Sequence, residues 1–437
     1  YFKGICNEIV GEWENKLAFQ IAFNNLTITE KVCDTVHYDQ YIYEMFTQIN
    51  IFNTIPLPYI INRIIIRSCK YSLNWGHLNP NCLFFAYILI IMSNETIATP
   101  KFPVMAKSLH AELKRRVNLY LEEHAVIGTG NYKLFSKAII LLSLFVITYI
   151  HLVFFTPPTF YAILECILFG GLIAAIGFNV MHDGSHGSFS KYNWLNKLAS
   201  SSISVLGASR FMWASKHVTI HHTFTNIEGV DDDIEVGALM RMAPNQKHYI
   251  LHRFQHIYFW VLYMLLYIFW IFYTDYKKYF SKKIGSVPLK KMTIADHLEF
   301  WIVKIYHAAV FIIIPVYMVG WVSWLVGFFV TGCFAGFILS IVFQLAHTVT
   351  ETEFPVAIQP ENVMPDEFAA HQIMTTANFA TKSKIVSWLV GGLNFQIEHH
   401  LFPKISHVHY PAISKIVKKT CADFKLKYNE YPTVLSA

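Results

Sequence analysis

The sequence predicts an all-α integral membrane protein: four transmembrane helices in two hairpins, interfacial helices, and a cytoplasmic cap that carries a dinuclear metal site. Three observations point to that class. The chain of 437 residues is 54% hydrophobic and only 15% charged, whereas an ordinary globular chain carries about 25% charged residues. Its apolar residues gather into runs of bilayer-spanning length. Histidines stand in four short clusters beside those runs, and imidazole is a neutral nitrogen ligand for transition metals.

The net charge of +6 comes from basic clusters that flank apolar runs. That pattern fits anchoring to anionic lipid on the cytoplasmic side rather than nucleic-acid binding. None of the seven cysteines forms a CxxC pair, so neither a disulfide framework nor a thiolate metal site is indicated. Cys166 and Cys333 lie inside apolar stretches and read as small hydrophobes.

Residues 1–91 are rich in Ile, Asn and Tyr, with no sustained period and no signal-peptide order. The run Leu83–Met92 is too short to span. The character of the chain changes at Met92, so 1–91 reads as an N-terminal extension of doubtful nativeness, with Met92 or Met105 as the expected start. Residues 92–136 form a cytoplasmic leader containing the amphipathic stretch AELKRRVNLYLEEH. Residues 137–432 form the membrane domain and 433–437 a tail.

Residues 137–155 and 160–180 are the first pair of crossings, turned by Thr156, Pro157 and Pro158. Lys107, Lys114, Arg115, Arg116, Lys133 and Lys137 lie at or before the start of the first run, which places that end in the cytoplasm. The second pair, 300–319 and 324–346, turns around Gly320 and Trp321 and delivers His347 to one face. Between the pairs, 256–273 is apolar and loaded with aromatic residues. Were it to cross, His347 would end on the opposite side from the earlier histidines. Lys277, Lys278, Lys282, Lys283, Lys290 and Lys291 would also lie outside. It therefore reads as a helix in the interface, where aromatic rings are favoured. Leu198–Trp213 is too short and too rich in small residues to span.

The clusters are HDGSH (His182, His186), HVTIHH (His217, His221, His222), FQLAH (His347) and QIEHH (His399, His400, with Gln396). Histidines four apart on a helix share a face, so His182/His186 and His217/His221 can each grip one site. His222 adds a ligand angled to the side. Gln396 can ligate or hold a water. Eight imidazoles exceed what one ion needs, so two ions are expected. A lone histidine at a helix end is more often a capping or interfacial group, and His256, His297 and His307 read that way. The bland reading is respectable for His347 alone and fails for the whole set. Asp183, Asp231, Asp232, Asp233 and Glu398 are candidates to accept the free N–H of ligating imidazoles, although Asp231–Asp233 equally reads as a solvated acidic loop. His371 is a further candidate for that outer layer.

HDGSH, HVTIHH and QIEHH resemble the three histidine boxes of membrane fatty-acid desaturases, over about residues 108–432. Gln396 in place of a third-box histidine, with the run HHTFTNIEGVDDDIE, is similar to the front-end desaturases, and bacterial linoleoyl-CoA-desaturase-like proteins look nearest. The resemblance implies iron ligands at His182, His186, His217, His221, His222, His399 and His400, with His347 matching an additional ligand. It supplies iron, since imidazole also suits zinc and copper. It further implies two iron ions, dioxygen as co-substrate, and hydrogen abstraction from neighbouring methylenes of a fatty acyl chain carried by CoA, carrier protein or lipid. An HPGG haem motif is missing from the sequence. The expected donor is therefore a separate ferredoxin, or a cytochrome b-type protein with an NAD(P)H-linked reductase. The expected location is a bacterial inner membrane with the active site on the cytoplasmic face. A lipid hydroxylase or ketolase on the same metal centre is the sibling alternative. A metal transporter would want polar groups along the crossings, where Glu165 and Lys304 are the exceptions.

Overall fold

The structure, a computed structural model, describes residues 99–437. The expectations for residues 1–91, including a start at Met92, lie outside the described residues. Helix α1 (Leu109–Glu123) starts at Ser108, whose hydroxyl accepts the Ala111 N–H and satisfies a donor that a helix start leaves unpaired. Its buried stripe, Leu109, Leu113 and Val117, packs with Ile397, Leu401, Ile413 and Val417 from the C-terminal part of the chain.

Helices α2 (Tyr132–Phe155) and α3 (Thr159–His186) follow. Asn131 caps α2 through the Lys133 N–H. The turn between them uses Thr156 in the left-handed region followed by two prolines, neither of which can donate to a continuing helix. Phe145 and Phe169 stack across the hairpin at 4.5 Å. A short helix α4 (Arg210–Trp213) then runs without a break into a wider, π-type turn through His221. Next come α5 (Ile250–Ser281), a small antiparallel pair β1 (Lys283–Ile284) and β2 (Val287–Pro288), α6 (Ile294–Val319) and α7 (Trp321–His347). Thr293 and Asp296 cap α6 reciprocally. Gly320, at φ 80°, makes the corner between α6 and α7, a backbone state that suits glycine.

Five helices among the described residues, α2, α3, α5, α6 and α7, are long and apolar enough to cross a membrane by length and composition. The central ones are α3 and α7; α5 is the least buried and lays its outer apolar side chains, such as Ile257, Val261 and Phe269, open to the surroundings. α7 packs along both α3 and α5. At Gly170 a side chain would place its Cβ 2.5 Å from the Thr331 carbonyl oxygen, so α3 and α7 touch nearly backbone to backbone. The C-terminal cap contains α8 (Phe368–Met374), β3 (Asn378–Phe379), α9 (Gln396–Leu401), α10 (Tyr410–Asp423) and β4 (Glu430–Tyr431). β3 and β4 pair in parallel.

Several charges differ from their expected roles. Lys137, read as a surface anchor, is buried and donates to Asn179 at 2.6 Å and to the Trp388 carbonyl. Lys278 is buried and pairs with Asp232 at 2.6 Å. The spacing of these lysines beside apolar runs could not distinguish a cation facing headgroups from one turned inward onto a polar partner. Lys304 is neutralised by Asp275 at 2.9 Å and also donates to the Gly207 carbonyl; Glu165 meets His151. Neither exception therefore begins a polar path through the bundle.

Candidate metal centre

Four separate stretches carry the eight histidines to one place. His182 and His186 occupy the last turn of α3, which ends at Gly187 in the left-handed region. His217, His221 and His222 lie on and just after the π-type turn, where the His222 N–H reaches the His217 carbonyl. That i→i+5 geometry brings i+4 and i+5 together beside residue i, so both later rings crowd round His217. His347 ends α7, and α9 supplies His399 and His400. All eight are buried.

The rings fall into two sets without remainder. His182, His186, His217, His222 and His399 present ligand atoms within 4.8 Å of one another, and His221, His347 and His400 do the same. The sets adjoin: His222 and His400 stack at 4.2 Å between ring centroids. A third grouping, His217, His221 and Asp233, shares members with both. Inside the larger set His217 Nε2 lies 3.1 Å from His182 Nε2 and 3.3 Å from His222 Nε2. Gln396 places its amide nitrogen 2.9 Å from His347 Nε2.

The outer ring nitrogens show how the inner ones are aimed. Asp231 accepts from His221 Nδ1 at 3.0 Å, Gln372 Oε1 accepts from His400 Nδ1 at 2.8 Å, and the Tyr410 hydroxyl meets His399 Nδ1 at 3.1 Å. The acceptor-only oxygens of Asp231 and Gln372 put the proton of His221 and His400 on Nδ1, so each Nε2 keeps its lone pair. His221, His399 and His400 Nε2 are all buried without a hydrogen-bond partner, as are His186 Nε2, His222 Nδ1 and Gln396 Oε1. Orphaned buried acceptors are costly, and a cation at their focus would remove that cost. The residues present thus fit a pair of metal ions. Burial and neighbouring imidazoles hold His217, His222, His399 and His400 well below the ordinary histidine range, which keeps them neutral. His221 is the opposite case: burial opposes its charge, and Asp231 and Asp233 outweigh burial and raise it.

The acidic candidates divide. Asp231 is fully buried and holds His221, while Asp233 approaches the same ring at 3.3 Å and pairs with Lys216 at 2.5 Å. Lys216 holds Asp233 below the carboxylate range although burial works against it. Asp232 pairs with Lys278, so this run is a charge-matched junction more than a solvated loop. Asp183 touches no ligating ring; it accepts from Ser406 Oγ at 2.7 Å and His407 Nδ1 at 3.0 Å. Glu398 points away from its histidine neighbours to Asn378 and Tyr428, and burial raises it to about 8. His371 meets the Thr225 carbonyl, and Thr225 Oγ1 lies 3.2 Å from His400 Nδ1, so His371 stands two contacts from the centre.

Sequence reasoning passed over Gln372, Tyr410, Thr225, Asn226 and Trp213. Asn226 donates to the carbonyls of His347 and Thr375, locking the end of α7 to the His221 loop. Trp213 stacks on His217 at 4.4 Å. Gln372 was visible in AAHQIMTTANF beside His371, but only the helical register of α8 shows which of the two reaches the ring.

The family profile described as fatty acid desaturase matches residues 131–432. The chain is 35% identical to an sn-1 linoleoyl-lipid 6-desaturase of Arthrospira platensis, over 75% of this chain and 88% of that protein. It is 34% identical to the sn-1 linoleoyl-lipid 6-desaturase of Synechocystis sp., over 74% and 91%. An acyl-lipid (8-3)-desaturase of Physcomitrium patens is 35% identical over 74% and 68%. A profile match across most of the chain, on the very stretches that bring the imidazoles together, makes this protein a member of the fatty acid desaturase family, an oxygen-dependent oxidoreductase.

Proposed function

We propose that the protein is a di-iron acyl-lipid desaturase of the front-end type, which uses dioxygen and two electrons to introduce a cis double bond. The observation that carries this reading is the division of eight buried imidazoles into two adjoining sets, each small enough to surround one ion. The named activities of the relatives support the acyl-lipid substrate and the front-end position. His182, His186, His217, His222 and His399 would hold one iron, and His221, His347 and His400 the other, with Gln396 beside His347. When bound, the iron pair supplies the oxidising chemistry toward an unactivated methylene that side chains cannot perform by acid–base means.

The chain's own residues prepare the centre. Asp231 and Gln372 fix the Nδ1 tautomer of His221 and His400, and Tyr410 orients His399. The buried setting excludes water, which limits side reactions. Asn226 keeps His347 in register with His221.

Four crossings, with α5 along the interface, remain our reading. Both ends of α5 are tied to one stretch, 232–241, that carries four charged residues. At its start Gln255 brackets the backbone of Arg241 and Tyr258 donates to the Leu239 carbonyl; at its end Lys278 pairs with Asp232. If α5 crossed, Asp232, Asp233, Glu235 and Arg241 would be drawn through hydrocarbon, at a cost of about 2.5–3.5 kcal/mol for each charged group near the centre. Lys107, Lys114, Arg115 and Lys133 precede α2 at the histidine end, which supports a cytoplasmic active site and, in our reading, a bacterial inner membrane. A separate ferredoxin or cytochrome b-type donor with its NAD(P)H-linked reductase completes the proposal. The test is production in a host of defined fatty acids, with double bonds located by mass spectrometry. A new cis bond between an existing one and the carboxyl end is expected; an added oxygen without a double bond would overturn the reading.

A further inference from the structure

A cavity of about 460 Å³ lies at the start of α5, with Thr348 at the end of α7 in its wall. That volume is within the range of about 300–1,000 Å³ usual for small-molecule sites. Arg241, His248, His256, Phe259, Tyr263 and Thr348 line it. The metal centre uses none of them.

The site is built. His252 Nε2 meets the Ala238 carbonyl at 2.9 Å. Gln255 accepts from the Arg241 N–H at 2.8 Å and donates to the Arg241 carbonyl at 3.1 Å. The strap 238–241 is thereby clamped to the first turns of α5, and the guanidinium is fixed at its backbone. Its Nε donates to the Gln246 carbonyl and one terminal nitrogen to the Pro244 carbonyl, which leaves the other end of the planar fork for a ligand. His248 and His256 are exposed and stand on either side of the clamped His252. Between Glu235 and Asp275 the sequence holds Arg241, Lys247 and Arg253 and not one carboxylate; the acidic group within reach of Arg241 is Glu228, from the preceding loop. A guanidinium fork with imidazoles around it matches a phosphate group. The other wall, Phe259 and Tyr263, is aromatic and suits the start of an acyl chain.

Position adds a second argument. Thr348 lines the cavity and follows His347 directly in the chain, so one wall of the cavity is the residue next to a proposed ligand. A front-end enzyme acts only a few carbons from the carboxyl end of its substrate, so the polar end must be held close to the centre. A cavity far along the bundle could not do this.

We propose that this cavity binds the phosphate-bearing polar end of the acyl substrate, with Arg241 as its principal contact and His248 and His256 as neighbours. The inference rests on the desaturase reading and names the substrate class within it. A phospholipid headgroup and coenzyme A share the phosphate chemistry, and the experiment separates them.

Iron-loaded full-length protein in membranes, supplied with its electron donors, is given linoleoyl-phosphatidylglycerol, linoleoyl-CoA or the uncharged linoleoyl-monogalactosyldiacylglycerol. The wild type is expected to favour a phosphate-bearing substrate. In Arg241→Gln the ratio of phosphate-bearing to uncharged turnover should fall about ten- to a hundredfold, the scale of one lost charged hydrogen bond, with iron content unchanged. His256→Ala should lower the ratio less. A fall confined to the phospholipid names a lipid headgroup; one confined to linoleoyl-CoA names coenzyme A. An unchanged ratio, an equal loss on all three substrates, or a wild type that acts only on the galactolipid overturns the proposal. No turnover of any substrate by iron-loaded wild type would instead sink the desaturase reading.

Discussion

Replacing Asp231 by Asn tests how the outer hydrogen bonds aim the imidazoles. The carboxylate is fully buried. It accepts from His221 Nδ1 at 3.0 and 3.2 Å, from the Asn226 N–H at 2.9 Å and from the Asp233 N–H at 3.1 Å. An amide keeps the volume but has one acceptor oxygen and two N–H groups. At least one of those three donors must then face another donor. A buried donor left unpaired costs about 1–3 kcal/mol. Loss of such a partner to a metal-bound histidine typically lowers metal affinity about 10–100-fold, which is about 1.4–2.8 kcal/mol. The two routes agree in scale. Anaerobic titration of purified Asp231→Asn protein with ferrous ion should therefore show one of two sites weakened by about that factor, because His221 belongs to the smaller set. The five-histidine set should change far less. Equal affinity at both sites in variant and wild type would refute the orienting role, and equal weakening of both would show a general loss of fold.

Other perturbations follow from the same contacts. Tyr410→Phe removes the hydroxyl at His399 Nδ1 without a void and should cost about 0.5–1.5 kcal/mol, read as a modest fall in iron affinity with little change in melting temperature. Gly170→Val drives a side chain onto the Thr331 carbonyl; overpacking against backbone costs about 1–3 kcal/mol or more, and low yield of folded protein in detergent is expected. Lys304→Met leaves Asp275 buried without its cation and should destabilise by about 3–5 kcal/mol. Adding Asp275→Asn should recover much of that in thermal unfolding, and a double variant no better than the single would contradict the pairing.

The histidine clusters and the apolar runs were legible in the sequence because each follows a local rule: i, i+4 spacing on a helix and bilayer length. HDGSH and HVTIHH needed nothing else to be grouped. The widening of the helix at 214–221 was not legible, since i, i+4 spacing alone does not separate an α-turn from a π-turn, and it is that turn which brings His222 beside His217. The partners of the outer nitrogens were also hidden. Tyr410 reaches His399, and Gln372 reaches His400, through tertiary packing of α8, α9 and α10 that leaves no period in the chain. Glu398 shows the converse failure: adjacency to His399 suggested a partner, and the turn of α9 sends the carboxyl to Asn378 and Tyr428 instead. His256 was set aside as a lone interfacial group because its neighbours in the cavity, Arg241 and Thr348, are distant in sequence.

Counting metal in purified protein tests the central claim most directly. The account predicts two iron atoms per chain in the wild type and one in His400→Ala, with the five-histidine set still filled. A wild type that saturates at a single ion, or a His400→Ala variant that still holds two, would contradict it.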